Sequence, residues 1–156
     1  MSAIDYFQGV VFPATFSMLP KKMDSKEARA MLLAIGLQES RFEERRQLGN
    51  GPAVSPWQFE PTGVSGVLSH KASRPVIVEV VNMMDYPLGT DLHRIIENND
   101  ILACCFARCL LWTHPNSLPI INQPTKGWMQ YINCWRPGKP HQQTWEGFFN
   151  QAWEML

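Results

Sequence analysis

This chain has no excess charge of either sign, no long apolar run and no metal-binding spacing, and each absence excludes a class of function. Fourteen Lys and Arg balance fourteen Asp and Glu, so the basic stripe that marks a nucleic-acid-binding surface is missing. No apolar run approaches the roughly 20 residues of a membrane-spanning helix. Cys104, Cys105 and Cys109 fall within about two turns of one helical pattern, among Leu102, Phe106 and Leu110. That setting suits small buried thiols better than disulfides. The histidines (His70, His93, His114 and His141) are scattered and match neither C-x-x-C nor H-x-x-x-H spacing, so no metal and no other cofactor is expected. Repeats and low-complexity tracts are also lacking. The opening Met1-Ser2-Ala3-Ile4-Asp5 carries no basic segment followed by an apolar one, so a signal peptide is not expected.

What remains is an ordinary globular composition, 45% hydrophobic and 18% charged. A chain of 156 residues is expected to form one domain that buries roughly two thirds of its unfolded surface. Residues 1–24 read as an N-terminal segment packed on a domain of residues 25–156. A short helix is predicted over Ala14 to Leu19, after Pro13. Lys21-Lys22-Met23-Asp24 reads as a solvated linker. Ser25, in competition with Asp24, caps a helix that runs to about Glu39.

Along that helix Ala28, Met31, Leu32 and Ile35 share one face at about 3.6 residues per turn. Glu39 falls on the same face. A carboxyl delivered by a buried stripe loses hydration, which favours its neutral form and raises its pKa. A general acid working at neutral pH needs that property. The alternative is a helix-end Glu that turns out to solvent.

Beyond it lies a loop, Glu43 to Pro56, with a turn signal at Asn50-Gly51-Pro52 and room for a small β-hairpin. Its alternating charges read as a solvated surface. Helices are predicted over Pro61 to His70 and Val76 to Met84, the second capped by Ser73, although its β-branched residues would also suit a strand. Thr90 is assigned as the cap of a short helix to Asn98, and Asp100 as the cap of a helix to Thr113. The latter is apolar nearly all round and should lie in the middle of a bundle. Lys126 to Trp135 reads as a helix. A last one, capped by Thr144, runs through Trp153. The fold class is therefore all-α, with about seven helices.

Glu39-Ser40-Arg41-Phe42 resembles the E-S-x-F motif of soluble lytic transglycosylases and goose-type lysozymes. Trp57-Gln58-Phe59 is similar to the block that follows the catalytic Glu in that family. Trp128-Met129-Gln130-Tyr131 resembles its helix bearing a substrate-lining Tyr. Trp135-Arg136-Pro137-Gly138-Lys139-Pro140 is similar to the ending of small bacteriophage proteins of this type. The resemblance covers roughly Lys26 to Ala152. Two departures stand out. Ser55-Pro56 replaces the usual small-Gly pair, and Tyr131-Ile132-Asn133 is only a loose stand-in for the A-x-Y-N block.

The resemblance implies a lysozyme-like fold and cleavage of the MurNAc–GlcNAc β-1,4 bond of peptidoglycan, with Glu39 as acid and then base. Ser40, Trp57, Gln58, Tyr131 and Trp135 would contact or frame the glycan strand. Ser40 could hydrogen-bond the Glu39 carboxyl, as the family's Ser does, or merely cap its helix. Gln58 could brace its loop, and any one of the tryptophans could instead be a core residue. Glu60 is the nearest candidate for a second carboxylate, or else the acid that opens the next helix. Relatives with a single Glu rely on the substrate's own N-acetyl group. Arg45 or Arg46 could touch an anionic peptide stem. The implied partners are peptidoglycan and other phage virion proteins, with no nucleic acid or membrane. The implied setting is synthesis in the host cytoplasm, then action on the wall from the virion or as a lysis-stage endolysin. Two further readings are a virion structural adaptor with this fold and little activity, and a helical interaction domain.

Overall fold

A computed structural model describes all residues, Met1–Leu156. It is all-helical, as the periodicity predicts. Helix α1 (Ala3–Tyr6) passes through a π-helical turn, Phe7–Val11, into α2 (Phe12–Met18) without a break. The sequence reading starts this helix only after Pro13, because proline lacks an N–H and its ring crowds the carbonyl four residues back. The π turn supplies the missing room. There the N–H of Phe12 reaches back to Phe7, five residues away, and Pro13 follows where the helix is widened. A 3₁₀ turn, Lys21–Met23, then leads to α3 (Lys26–Ser40).

The remaining helices are α4 (Pro61–Ser69), α5 (Arg74–Met83), α6 (Leu92–Ile96), α7 (Asp100–Trp112), α8 (Pro124–Trp135) and α9 (Gln142–Glu154). Counting Ala3 to Met18 as one rod gives eight. The β-branched run in α5 is helical, amphipathic about buried Ile77 and Val80. The loop after α3 holds only two isolated antiparallel bridges, Arg46 with Val54 and Val54 with Phe59. The hairpin is rudimentary and forms no sheet.

Helix α7 is the axis. Every residue from Leu102 to Leu111 is buried, with α2, α3, α4, α5, α6 and α8 packed around it. Helix α3 is also covered nearly all round, since Ala30, Leu33, Ala34 and Leu37 are buried along with Met31, Leu32 and Ile35. Its single-stripe reading is therefore too narrow. Helix α9 lies along α3 on one side, and the Trp57 loop covers another. One continuous core takes in Phe7, Val11, Phe12 and Phe16 together with the later helices, so residues 1–24 belong to the same packed body. Cys104, Cys105 and Cys109 are buried free thiols within it, and Cys134 is half-buried and also free.

Three predicted helix caps are displaced by one to three residues, and α8 starts at Pro124, two residues before the predicted Lys126. Asp91, not Thr90, caps α6, accepting from the Arg94 N–H. Asn99, not Asp100, caps α7. Helix α9 begins at Gln142, and Thr144 instead donates to Gln38. Ser73 precedes α5 as read, but its hydroxyl donates to the Val67 carbonyl rather than capping. Asp100 is engaged elsewhere, because Arg45 grips its carboxylate with two hydrogen bonds of 2.5 and 2.7 Å. Arg46 holds Glu97 in the same way at 2.8 Å. These arginines, read as solvated or stem-binding, pin the long loop to the start of α7. No helix is long and apolar enough to cross a membrane.

Candidate active site

Helix α3 ends in a reversal that sets Glu39. Arg41 and Phe42 both adopt left-handed backbone, at φ 57° and 59°, a conformation costing of order 1–3 kcal/mol for each non-glycine residue. Local contacts compensate. The Arg41 guanidinium bonds the Leu37 and Gln38 carbonyls at 2.7 and 2.8 Å; the first also accepts the Arg41 backbone N–H, and the second is an acceptor the helix end leaves open. It also lies 4.4 Å over the Phe148 ring. The chain then folds Phe42 back onto Gly36, where a Cβ would clash with the tip of the aromatic ring. Phe42 packs against Phe7 and Trp57, centroids 4.7 and 5.7 Å apart. The E-S-x-F stretch is thus a device for ending α3 with its last carboxyl in a fixed place.

Ser40 does not touch that carboxyl. Its buried hydroxyl donates to the Pro56 carbonyl at 2.6 Å and accepts the Phe42 N–H at 3.1 Å, tying the helix end to the 55–59 loop. Trp57 is a correction to the sequence reading. It is fully buried, and its indole N–H donates to the Leu32 carbonyl in mid-α3 at 2.8 Å, so no face is left for a sugar. Gln58, half-buried, donates to the Ser55 carbonyl at 2.8 Å and braces its own turn. Trp135 is half-buried, with its indole N–H on the Trp57 carbonyl at 2.8 Å. His93 Nε2 pairs with the Phe59 carbonyl at 2.8 Å. The loop is therefore anchored to α3, α8 and α6 at once.

Tyr131 and Glu39 meet. The phenol donates to Glu39 Oε1 at 2.6 Å. The Tyr131 ring is buried and stacks flat on Trp145, with centroids 5.2 Å apart and planes 3° apart, beside Trp128 and Trp135. It serves the carboxyl rather than presenting a ring face to substrate. Gln38 adds a second tie, donating to the His141 carbonyl at 2.9 Å and accepting from Thr144 at 2.9 Å. This holds the start of α9 against the end of α3. Gly36, Gln38, His93 and Trp145 escaped the sequence reading. Only Gly36 had a local signal, lying on the helical face that Phe42 must cross.

Glu39 is half-buried, and burial raises its carboxyl from 4.5 to about 7. The Tyr131 hydrogen bond pulls the other way, and the charge of Glu60 adds to the rise. Burial and the neighbouring carboxyl also push the Tyr131 phenol well above its usual range. Glu60 precedes Pro61 at the start of α4, exposed and making no cap hydrogen bond. It sits near enough for its charge to act on Glu39, as a helix-opening acid beside the site. The arrangement can hold a proton on Glu39 at neutral pH and release it to a substrate atom. No protein-family model, curated protein or solved structure matches the chain.

Proposed function

We propose that this chain cleaves the glycan strands of peptidoglycan at the MurNAc–GlcNAc β-1,4 bond, with Glu39 as general acid and then base, on a lysozyme-like helical scaffold. One observation carries the reading. A carboxyl at the end of a buried helix is held at one oxygen by a clamped phenol 2.6 Å away, and its pKa is raised to about 7, so that it still carries a proton in a large share of molecules at neutral pH. Acid chemistry on a glycosidic oxygen needs a proton that is both available and aimed. Glu39 Oε2 accepts nothing from the protein and is the oxygen that would face substrate.

In the proposed reaction Glu39 gives its proton to the bridging oxygen as the C1–O bond breaks, and the leaving GlcNAc departs as an alcohol. The substrate's N-acetyl group supports the positive charge at C1. Glu39, now a carboxylate, takes the proton of the MurNAc C6 hydroxyl as that oxygen closes on C1. The tethered hydroxyl has a high effective concentration, and the product is a 1,6-anhydro-muropeptide. Of the residues read as glycan contacts, half-buried Trp135, beside Tyr131, best keeps that role. We place the enzyme in a bacteriophage virion, with other virion proteins as partners, from the similarity of Trp135 to Pro140 to small phage proteins.

Mass spectrometry of products from purified sacculi tests the chemistry. Muropeptides lighter than the hydrolysis product by one water, with no new reducing ends, are expected. Mainly reducing-end products would overturn the transglycosylase step. Glu60, the only other carboxylate placed near Glu39, would then be the base that activates water.

A further inference from the structure

Arg108 is anomalous on α7. It sits in the buried stretch of that helix and is only 3% exposed. Arg29, Arg45 and Arg46 each grip a carboxylate through two nitrogens, whereas Arg108 has none in ion-pairing range. Its Nε donates to the Met23 carbonyl at 2.8 Å. Its two terminal nitrogens donate to no protein acceptor. Burial pushes the guanidinium down to about 10, outweighing the opposing charge of Asp24, the direction expected when lost hydration is only partly replaced by a counter-charge.

The side chain lines a cavity of about 580 Å³ between the start of α3 and the end of α7. Lys22 lines the same cavity. Both cations lie near one indole, Lys22 Nζ 5.4 Å and the Arg108 guanidinium 5.3 Å from the Trp112 ring centroid. Glu27 is the one carboxylate in the wall, and Leu111 and Leu118 give it an apolar side. Glu39 lies half a molecule away, since α3 separates Lys26 from it by thirteen residues, about 20 Å of helix.

A planar guanidinium with two free N–H groups on one edge matches an oxyanion with two oxygens. Two cations against one carboxylate leave a single positive charge, which balances a carboxylate better than a doubly charged phosphate. We propose that this cavity binds an apolar carboxylate, its oxygens between Arg108 and Lys22 and its hydrocarbon part against Trp112, Leu111 and Leu118. A free short-chain acid and the C-terminal carboxylate of a peptide share that chemistry. The site is independent of Glu39 and of any wall-cleaving activity.

The test is a titration of the ¹⁵N-labelled protein followed at the Trp112 indole resonance, assigned with Trp112→Phe. The probes are isovalerate, N-acetyl-Gly-Leu with a free C-terminus, its C-terminal amide, and inorganic phosphate. Saturable shifts with the two carboxylates and none with the amide are expected. Tighter binding of the peptide acid than of isovalerate identifies a chain terminus as the natural occupant, and the reverse order a free acid. Arg108→Met should weaken binding about tenfold or more. Lys22→Met, an exposed change that leaves the core untouched, should weaken it about threefold and carries the test if Arg108→Met does not fold. Equal shifts with acid and amide, a response to phosphate alone, or carboxylate binding unchanged in Lys22→Met would each overturn the proposal.

Discussion

The phenol of Tyr131 reaches across 92 residues of sequence to donate a 2.6 Å hydrogen bond to Glu39. Neither partner is free to wander. Glu39 ends a helix whose reversal is locked by Phe42 on Gly36, and Tyr131 lies flat on Trp145. A short hydrogen bond between two fixed groups positions the acid without consuming both of its oxygens.

Stability should depend on pH through Glu39. Its carboxyl ionises at 4.5 when hydrated and at about 7 in the fold. Below 4.5 both states are neutral and nothing is lost. As pH rises, the unfolded chain ionises first, so native stability declines until about pH 7 and then levels off, by up to about 3 kcal/mol. Glu39→Gln removes the ionisation while keeping an acceptor for Tyr131. The variant should melt with wild type at pH 4 and several degrees above it at pH 8. Equal melting at both values would contradict a desolvated Glu39.

The alkaline limb of activity should answer to the two neighbours in opposite directions. An acid catalyst loses rate as it deprotonates, here above about pH 7. Tyr131 lowers the Glu39 pKa by hydrogen bonding and Glu60 raises it by its charge. Tyr131→Phe should therefore move the limb to higher pH, and Glu60→Gln to lower pH. Rate profiles against pH read both directly. Shifts of the same sign would mean that Glu39 is not the titrating group.

Gly36 should tolerate no side chain. The ring it would displace is fixed on other sides by Phe7 and Trp57. Gly36→Ala should cost about 1–3 kcal/mol through overpacking and depress activity further by shifting Ser40 and Glu39. Thermal unfolding alongside a turnover assay measures both. An unchanged melting temperature would show that Phe42 can move aside freely, and the locked reversal would fail.

Several parts of this arrangement were legible in the chain. The helix from Ser25 to Glu39 and the apolar α7 follow from spacing, because burial imposes a period that composition records. The raised pKa of Glu39 follows from its place at the end of buried residues. Trp57 was misread because a turn residue has no periodicity to say which way its side chain points. Its indole N–H looked like a polar edge for sugar, and in fact satisfies Leu32 within the core. The caps at Thr90 and Asp100 missed by one residue, since adjacent Asp91 and Asn99 offer equivalent side chains. The claim of Arg45 on Asp100 lies 55 residues away. The Tyr131–Trp145 stack and the Gln38–Thr144 tie join separate helices, and no local pattern encodes them.

The most direct test of the central claim is the rate at which soluble muropeptides leave purified sacculi, compared for wild type and Glu39→Gln at pH 6 with circular dichroism on both. General-acid catalysis contributes about 10²–10⁴-fold. The account predicts steady release by wild type, a loss of at least about a hundredfold in the variant, and superimposable helical spectra. Release by the variant within tenfold of wild type, or none by wild type under any permeabilised condition, would contradict it.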